Sequence, residues 1–131
     1  MPEADCTLAI DLGTGMCRAV IFDAAGTQVG IGQREWSHPE LPDAPGSQVF
    51  ETERNWPLVT SCVSEALARS GIAPGRIAAV SSTAMREGMV LYDAAGAEIW
   101  ACPNVDSRAS VEVGELVASG EAERIYRRGG D

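Results

Sequence analysis

A glycine-rich turn between two short apolar runs is the feature that most constrains the fold of this chain. The turn is DLGTG at residues 11–15, and the runs are TLAI at 7–10 and RAVIF at 18–22. Two glycines allow a tight strand–turn–strand in which backbone N–H groups can approach a phosphate closely, and Thr14 adds a hydroxyl donor. The segment is not a P-loop, because no Gly-Lys-Ser/Thr follows and the residues after Gly15 favour a strand over a helix start.

Asp11 is the unusual member of this turn. A carboxylate about 4 Å from a phosphate charge would be repelled by roughly 4 kcal/mol at an effective dielectric constant of about 20. An acidic residue in a phosphate turn therefore indicates a divalent cation between the two groups, and Mg²⁺ is the usual partner of substrate phosphates. From the pentapeptide alone, a plain hairpin turn in which Asp11 accepts local hydrogen bonds is an equal alternative.

Charge and residue usage exclude several kinds of partner. The formal net charge of the 131 residues is -9, which argues against nucleic acid or an anionic membrane. All ten basic residues are arginine, so any phosphate contact must come from arginine, backbone N–H groups, hydroxyls or a metal. The sequence opens with no signal peptide and has no apolar stretch of membrane-spanning length, which together favour a cytoplasmic protein.

Cysteine and histidine do not form a recognisable metal site in this sequence. The four cysteines lack metal-ligand spacing, and Cys17 and Cys62 are expected to be buried, reduced thiols. The only histidine, His38, lies in a proline-rich loop and is expected to be a solvent-exposed loop residue.

The spacing of apolar residues predicts an α/β chain with a mixed sheet and helices packed on it. The expected strands lie at about 7–11, 17–23, 27–35 and 77–81, followed by a hairpin over about 89–101, and the expected helices lie at about 53–70, from 106 or 107 onward and at about 121–127. The tetrapeptide Asp-Ala-Ala-Gly occurs at 23–26 and again at 93–96, and its glycine predicts a tight hairpin turn in both places.

Small residues and capping residues predict how the long helix packs and where it begins. Gly30 and Gly32 lie on one face of the third strand, which predicts either close backbone packing or a weak edge strand. Thr52 or Asn55 is expected to cap the long helix at its start, and Gly71 is expected to end it.

The second helix is expected to begin with Asp106 or Ser107 as its cap. Arg108 and Glu112 have the spacing of a surface ion pair on that helix. The residues expected to form its apolar stripe are Ala109, Val113, Leu116 and Val117.

Charged pairs fall at three places where the chain is expected to change direction. They are Asp11 with Arg18, Arg86 with Glu87, and Asp106 with Arg108. Loop ends of a sheet commonly hold ligands, although each pair by itself is more often a surface ion pair or a helix cap.

Taken together and in this order, these pairs resemble the N-terminal part of the FGGY family of carbohydrate kinases. The resemblance is carried by Asp-x-Gly-Thr-x-x-x-Arg at 11–18, Met-Arg-Glu at 85–87 and Asn-Val-Asp-x-Arg at 104–108, and it spans nearly the whole chain. Within the family, the run at 85–92 and its continuation at 99–106 are most similar to members that act on the autoinducer-2 precursor, an open-chain dihydroxypentanedione of bacterial quorum sensing.

The resemblance implies a fold and a set of ligands. The implied fold is ribonuclease-H-like, as in actin, hexokinase and Hsp70, with ATP and a small carbohydrate-like substrate held between two lobes. Residues 1–131 would form part of the N-terminal lobe, and the second lobe would lie outside this chain. A homodimer is a candidate assembly.

The resemblance also assigns roles residue by residue. The residues implied to contact Mg²⁺ and the terminal phosphates of ATP are Asp11, Gly13, Thr14, Gly15 and Arg18, with Asp11 on the metal side. The residues implied to contact the substrate are Arg86, Glu87, Asp106 and Arg108. The general-base aspartate of the family lies beyond residue 131, so no catalytic residue is assigned and the 131-residue chain alone is expected to be inactive.

Three alternatives to a kinase for the autoinducer-2 precursor stay open at this point. The first is another FGGY sugar or polyol kinase, acting on xylulose, ribulose or glycerol. The second is an actin-like ATPase or chaperone lobe, which shares the Asp-x-Gly-Thr turn. The third is a non-catalytic domain that keeps the fold.

Overall fold

A mixed four-stranded sheet forms the centre of the protein. The structure is a computed structural model that describes residues 4–130, so positions 1–3 and 131 of the predicted partial lobe lie outside the described residues. The strands are β1 (Cys6–Leu12), β2 (Met16–Phe22), β3 (Gln28–Glu35) and β4 (Ile77–Ala84). Their order is β3-β2-β1-β4, and β1 pairs antiparallel with β2 but parallel with β4. The mixed sheet that the sequence predicts is confirmed.

The repeated Asp-Ala-Ala-Gly segment forms a hairpin turn at both of its positions. At the first, the Asp23 carboxylate accepts hydrogen bonds from the N–H groups of Ala25 and Thr27 at 2.9 and 2.8 Å. Gly26 in this turn has a φ of 79°. The second copy makes the same two bonds and connects β5 (Met89–Tyr92) to β6 (Glu98–Cys102). Because the aspartate side chain accepts these hydrogen bonds and the glycine adopts the left-handed conformation, neighbouring residues are enough to form this turn.

The long helix α1 (Thr52–Ser70) packs on the sheet. It buries Val59, Cys62 and Ala66, and Gly71 ends it in the left-handed conformation, as expected. The expected cap is wrong, because the N-cap residue is Glu51 and makes no side-chain cap hydrogen bond. The Thr52 hydroxyl donates instead to the Glu98 carboxylate.

Gly30 and Gly32 bring the backbones of α1 and β3 into direct contact. A Cβ atom added at Gly32 would overlap the carbonyl oxygen of Cys62, and one at Gly30 would overlap that of Ala66 and lie 2.8 Å from the Ser70 Cβ. Of the two alternatives left open by the sequence, close backbone packing is therefore the correct one.

The core lies between α1 and the face of the sheet that α1 covers. Its buried members are Cys6, Leu8, Cys17, Ala19, Ile21, Val59, Cys62 and Ala66. Cys17 and Cys62 are free, fully buried thiols, as expected, with their sulfur atoms 3.6 Å apart. Burial raises the pKa of the Cys62 thiol to about 11, and the hydrogen bond with Cys17 acts in the same direction.

Two short helices, α2 (Ser110–Ser119) and α3 (Glu121–Gly129), follow the second hairpin. The expected cap of α2 is wrong: the helix begins after Ala109, without a side-chain cap. Arg108 bonds to Asp106 rather than to Glu112, because the helix begins too late to bring residues 108 and 112 onto one helical face. The predicted stripe is also not buried, since α2 has no buried residue among those described.

None of the helices within residues 4–130 combines the length and the apolar content that crossing a bilayer requires.

Candidate functional site

The segments that carry the three predicted charged pairs meet at one edge of the sheet. Because β1 and β4 are parallel, their carboxyl ends lie side by side, and the Met85 N–H donates to the Leu12 carbonyl at 2.8 Å. The Thr14 hydroxyl donates to the Asn104 side-chain oxygen at 2.9 Å, which connects the turn to the segment that leads into Asp106. The edge therefore brings together the 11–15 turn, the 85–87 segment and the 104–108 loop.

Asp11 and Arg18 face each other across the β1–β2 hairpin. They are register partners, and the Arg18 Nε donates to the Asp11 carboxylate at 2.7 Å. The side chains are 35% and 45% exposed, respectively, so the pair is open to solvent. The Asp11 carboxylate thus accepts from the arginine and not from the N–H groups of the turn.

The carbonyl groups of the turn are held by two rings that no sequence motif assigns to the site. The Trp36 indole Nε1–H donates to the carbonyls of Gly13 at 3.1 Å and Thr14 at 2.9 Å. The His38 Nε2 lies 2.7 Å from the same Thr14 carbonyl. The Phe50 ring packs edge-on against Trp36 at 5.3 Å and tilted against His38 at 5.6 Å.

The expectation that His38 is a solvent-exposed loop residue is therefore wrong. The ring is partly buried, and its Nδ1 atom is buried without a partner among residues 4–130. A loop rich in proline carries no periodic signal, so the sequence offers no indication that it folds back onto a turn more than twenty residues earlier. A tryptophan and a histidine two residues apart in such a loop are the only available sign.

Arg86 and Glu87 extend from the end of β4 as free polar groups. Both are exposed, and neither side chain forms a hydrogen bond or an ion pair within the described part of the chain. Glu87 has a φ of 62°, which makes it the one non-glycine residue with positive φ between residues 4 and 130. Such a conformation is uncommon for glutamate and concentrates at ligand-binding sites. The pair offers an acceptor and a donor suited to the hydroxyl groups of a ligand.

Asp106 and Arg108 are instead bound to each other and to the preceding loop. The guanidinium donates from Nε and Nη2 to the Asp106 carboxylate at 2.8 and 2.6 Å, and the Gln48 N–H donates to the same carboxylate at 2.7 Å. The Arg108 guanidinium also lies 5.5 Å above the Trp100 ring. The hydrogen bonds from Arg108 lower the pKa of Asp106 to about 2. In this arrangement the carboxylate anchors the 104–108 loop.

Replacing Asp106 by asparagine is expected to lower the free energy of unfolding near neutral pH by about 2 kcal/mol, because hydrogen bonds to a charged group are lost. A carboxyl group whose pKa is lowered by folding stabilises the protein at pH values above its unfolded-state pKa, which is about 4 for aspartate. That stabilisation is lost as the pH falls through about 2. Urea unfolding curves of wild type and D106N should therefore converge between about pH 4 and about pH 2.

Asp43→Asn is the matched control, because Asp43 is exposed and forms no hydrogen bond or ion pair within residues 4–130. Its stability should follow that of the wild type at every pH. A constant difference between wild type and D106N down to acid pH would contradict the anchoring role of the carboxylate.

The arrangement around Asp11 fits a magnesium ion that is bound mainly by phosphates. Between residues 4 and 130 the structure has no group of three or more His, Cys, Asp or Glu side chains that could hold a metal without help. Mg²⁺ keeps several water ligands and commonly uses only one or two carboxylates together with substrate phosphates. One half-exposed carboxylate beside a glycine turn, ion-paired with Arg18 through a single oxygen, is compatible with that kind of site.

Comparison with known proteins points to one family. A sequence model described as the FGGY family of carbohydrate kinases, N-terminal domain, matches residues 6–131. An Escherichia coli (strain K12) protein named autoinducer-2 kinase is 56% identical over 109 residues, which cover 83% of this chain and 21% of the relative. A Salmonella paratyphi B protein of the same name is 48% identical over 126 residues, or 94% of this chain and 24% of the relative. The chain therefore spans about a quarter or less of the length of these curated relatives.

Solved structures that match this fold include sugar kinases. Gluconate kinase from Lactobacillus acidophilus has a TM-score of 0.79 at 20% identity, covering 93% of this chain and 24% of that one. Xylulose kinase from Rhodospirillum rubrum has a TM-score of 0.77 at 23% identity, covering 92% of this chain and 25% of that one. At such identities the likeness concerns the fold alone, and it confirms the predicted actin/hexokinase-like fold.

Proposed function

Because the chain belongs to the FGGY family of carbohydrate kinases, we propose that it is the N-terminal part of an ATP-dependent kinase for the autoinducer-2 precursor. The substrate class is supported by curated relatives at 48% to 56% identity that are named autoinducer-2 kinase. The observation that carries the proposal is the convergence of the glycine turn and the free Arg86–Glu87 pair on one sheet edge. Phosphoryl transfer needs such neighbouring phosphate and acceptor sites.

We propose that the turn and its charged pair hold the nucleotide. The backbone N–H groups of Gly13, Thr14 and Gly15 would donate to terminal phosphate oxygens, and Arg18 would supply positive charge. The Thr14 hydroxyl, which donates to Asn104 in this structure, would reach a phosphate by exchanging that hydrogen bond. Asp11 would hold Mg²⁺, which when bound neutralises phosphate charge. The Asp11–Arg18 hydrogen bond of 2.7 Å keeps both groups beside the turn.

Arg86 and Glu87 would orient the acceptor. The glutamate carboxylate accepts hydrogen bonds from substrate hydroxyls, and the guanidinium donates to substrate oxygens. Asp106 is engaged by Arg108 and by the Gln48 N–H, so its contribution would be to hold the loop and the guanidinium in place. Arg108 is the member of that pair with hydrogen-bonding capacity left for a substrate.

The general base is proposed to lie outside these 131 residues. No acidic residue of this chain is assigned that role, and positioning alone does not remove the hydroxyl proton of the acceptor. The 131-residue chain is therefore expected to release no ADP with any sugar, whereas the complete kinase that contains it should do so.

The test is Mg²⁺-dependent ADP release by the complete kinase with four acceptors: the autoinducer-2 precursor, glycerol, xylulose and ribulose. We expect the highest kcat/KM with the autoinducer-2 precursor and no ADP release after magnesium is removed with EDTA. Preference for a different acceptor would reassign the substrate within the family. Absence of ADP release with every acceptor would favour a non-catalytic domain, and steady turnover by the 131-residue chain would contradict the missing general base.

A further inference from the structure

We propose that Trp36 and His38 are positioning residues that aim the N–H groups of the 13–15 turn at the transferred phosphate. The inference rests on the proposed function, since it assumes that a nucleotide phosphate binds at this turn. Three hydrogen bonds carry it: Trp36 Nε1–H to the carbonyls of Gly13 and Thr14, and His38 Nε2 to the carbonyl of Thr14.

Peptide planarity converts these bonds into an orientation of the N–H groups. In a trans peptide the C=O of one residue and the N–H of the next point in opposite directions. Holding the Gly13 and Thr14 carbonyls toward the two rings therefore turns the N–H groups of Thr14 and Gly15 to the opposite side. Two successive N–H groups on one side of a turn form a concave site for an anion.

These N–H groups are free to bind a ligand. Outside the regular helix and strand ladders, the hydrogen bonds of residues 4–130 include none donated by the N–H of Thr14 or Gly15. The turn is also exposed at Gly15, where a built Cβ atom meets nothing within 4 Å.

A glycine turn needs such an external hold. Glycine adopts positive and negative φ with similar ease, so the peptide planes on either side of Thr14 can rotate at little cost. The turn itself therefore does not determine which side its N–H groups face. The two rings are themselves held by packing against Phe50 and determine the orientation before any ligand binds.

The hydrogen bond also defines the tautomer of His38. A carbonyl oxygen only accepts, so the His38 Nε2 must carry the proton. Glutamine can place a terminal amide N–H near the position of that nitrogen, whereas leucine fills the space with no donor. Trp36→Phe removes the indole N–H and keeps an aromatic ring.

The test uses four variants of the complete kinase: Trp36→Phe, His38→Leu, His38→Gln and Trp56→Phe. Trp56 lies on α1 with 65% of its surface exposed and serves as the matched control. Calorimetry with a non-hydrolysable ATP analogue and Mg²⁺ should give about tenfold higher Kd for W36F and H38L, the loss expected when about one hydrogen bond no longer holds the site. H38Q should recover most of the affinity, and W56F should match the wild type.

Steady-state kinetics separates positioning from a general loss of structure. Misaligned N–H groups should raise the KM for ATP and lower kcat while the acceptor KM stays the same. A merely unstable variant would lose active protein and leave both KM values unchanged. Should H38L not fold, W36F and H38Q still decide the matter.

Wild-type affinity for the analogue in W36F and H38L would overturn the positioning role. So would equal losses in H38L and H38Q. Wild-type enzyme that transfers no phosphate at all would instead count against the proposed function, which keeps the two failures distinguishable.

Discussion

Replacing Glu87 by glycine is expected to lower kcat/KM for the acceptor about a hundredfold, because the carboxylate proposed to accept hydrogen bonds from substrate hydroxyls is removed. The same change should leave the free energy of unfolding within about 1 kcal/mol of the wild type or raise it, since glycine adopts positive φ without steric cost. Glu87 has a φ of 62°, and its side chain forms no hydrogen bond or ion pair with any other residue between 4 and 130. Activity is thus expected to fall while the free energy of unfolding stays near the wild-type value or rises.

Two further variants isolate the contribution of the Glu87 charge. Glu87→Gln keeps the size of the side chain and part of its hydrogen bonding, so its loss in kcat/KM should be smaller, about tenfold. Glu112→Gln, on the exposed face of α2, should leave kcat/KM unchanged. Kinetics with varied acceptor concentration and urea unfolding are measured on the same preparations. An E87G enzyme with wild-type kcat/KM would remove Glu87 from the substrate site.

Replacing Gly32 by alanine is expected to lower the free energy of unfolding by about 3 kcal/mol, at the upper end of what overpacking costs. The added Cβ would overlap the Cys62 carbonyl oxygen and lie 2.9 Å from the Glu65 Cβ. Neither obstacle can move easily, because one is helix backbone and the other is a Cβ atom attached to it. To admit the methyl group, α1 must move away from β3, which disturbs the packing of the core.

Gly114→Ala is the matched control for this substitution. Gly114 lies inside α2, and a Cβ atom there meets nothing within 4 Å. The change should therefore stabilise the protein by about 0.5 to 1 kcal/mol through helix propensity. Urea unfolding followed by circular dichroism measures both variants. A G32A protein as stable as the wild type would show that α1 does not press on β3 in solution.

Local chemistry explains which parts of the fold the sequence predicts well. The Asp23 and Asp93 turns depend on bonds within five residues and on one left-handed glycine, so neighbouring residues determine them. Strand positions, and the stretch that becomes α1, follow from apolar spacing and from Gly71, which are also properties of short windows. The start of α2 was mispredicted for the opposite reason: Asp106 has a good capping side chain but binds Arg108 and the distant Gln48.

The candidate site divides in the same way. Its residue types can be identified in the sequence, because a glycine turn with Asp11 and an Arg86–Glu87 pair follow recognisable chemical patterns. That these segments lie side by side depends on the parallel pairing of β1 with β4, across more than sixty residues of chain. No short window contains that pairing, and only the folded sheet provides it.

By itself, the sequence determined the turns, the strands, the long helix and the family to which the chain belongs, because these depend on residues close together along the chain or on motifs that keep their spacing. Only the tertiary structure decided that Gly30 and Gly32 lie in direct contact with the α1 backbone and that His38 is partly buried. It also decided that Trp36 and His38 hold the carbonyls of the 13–15 turn. Such contacts join residues that are distant in sequence, and their direction is determined by packing and by hydrogen bonds that form only when the chain has folded.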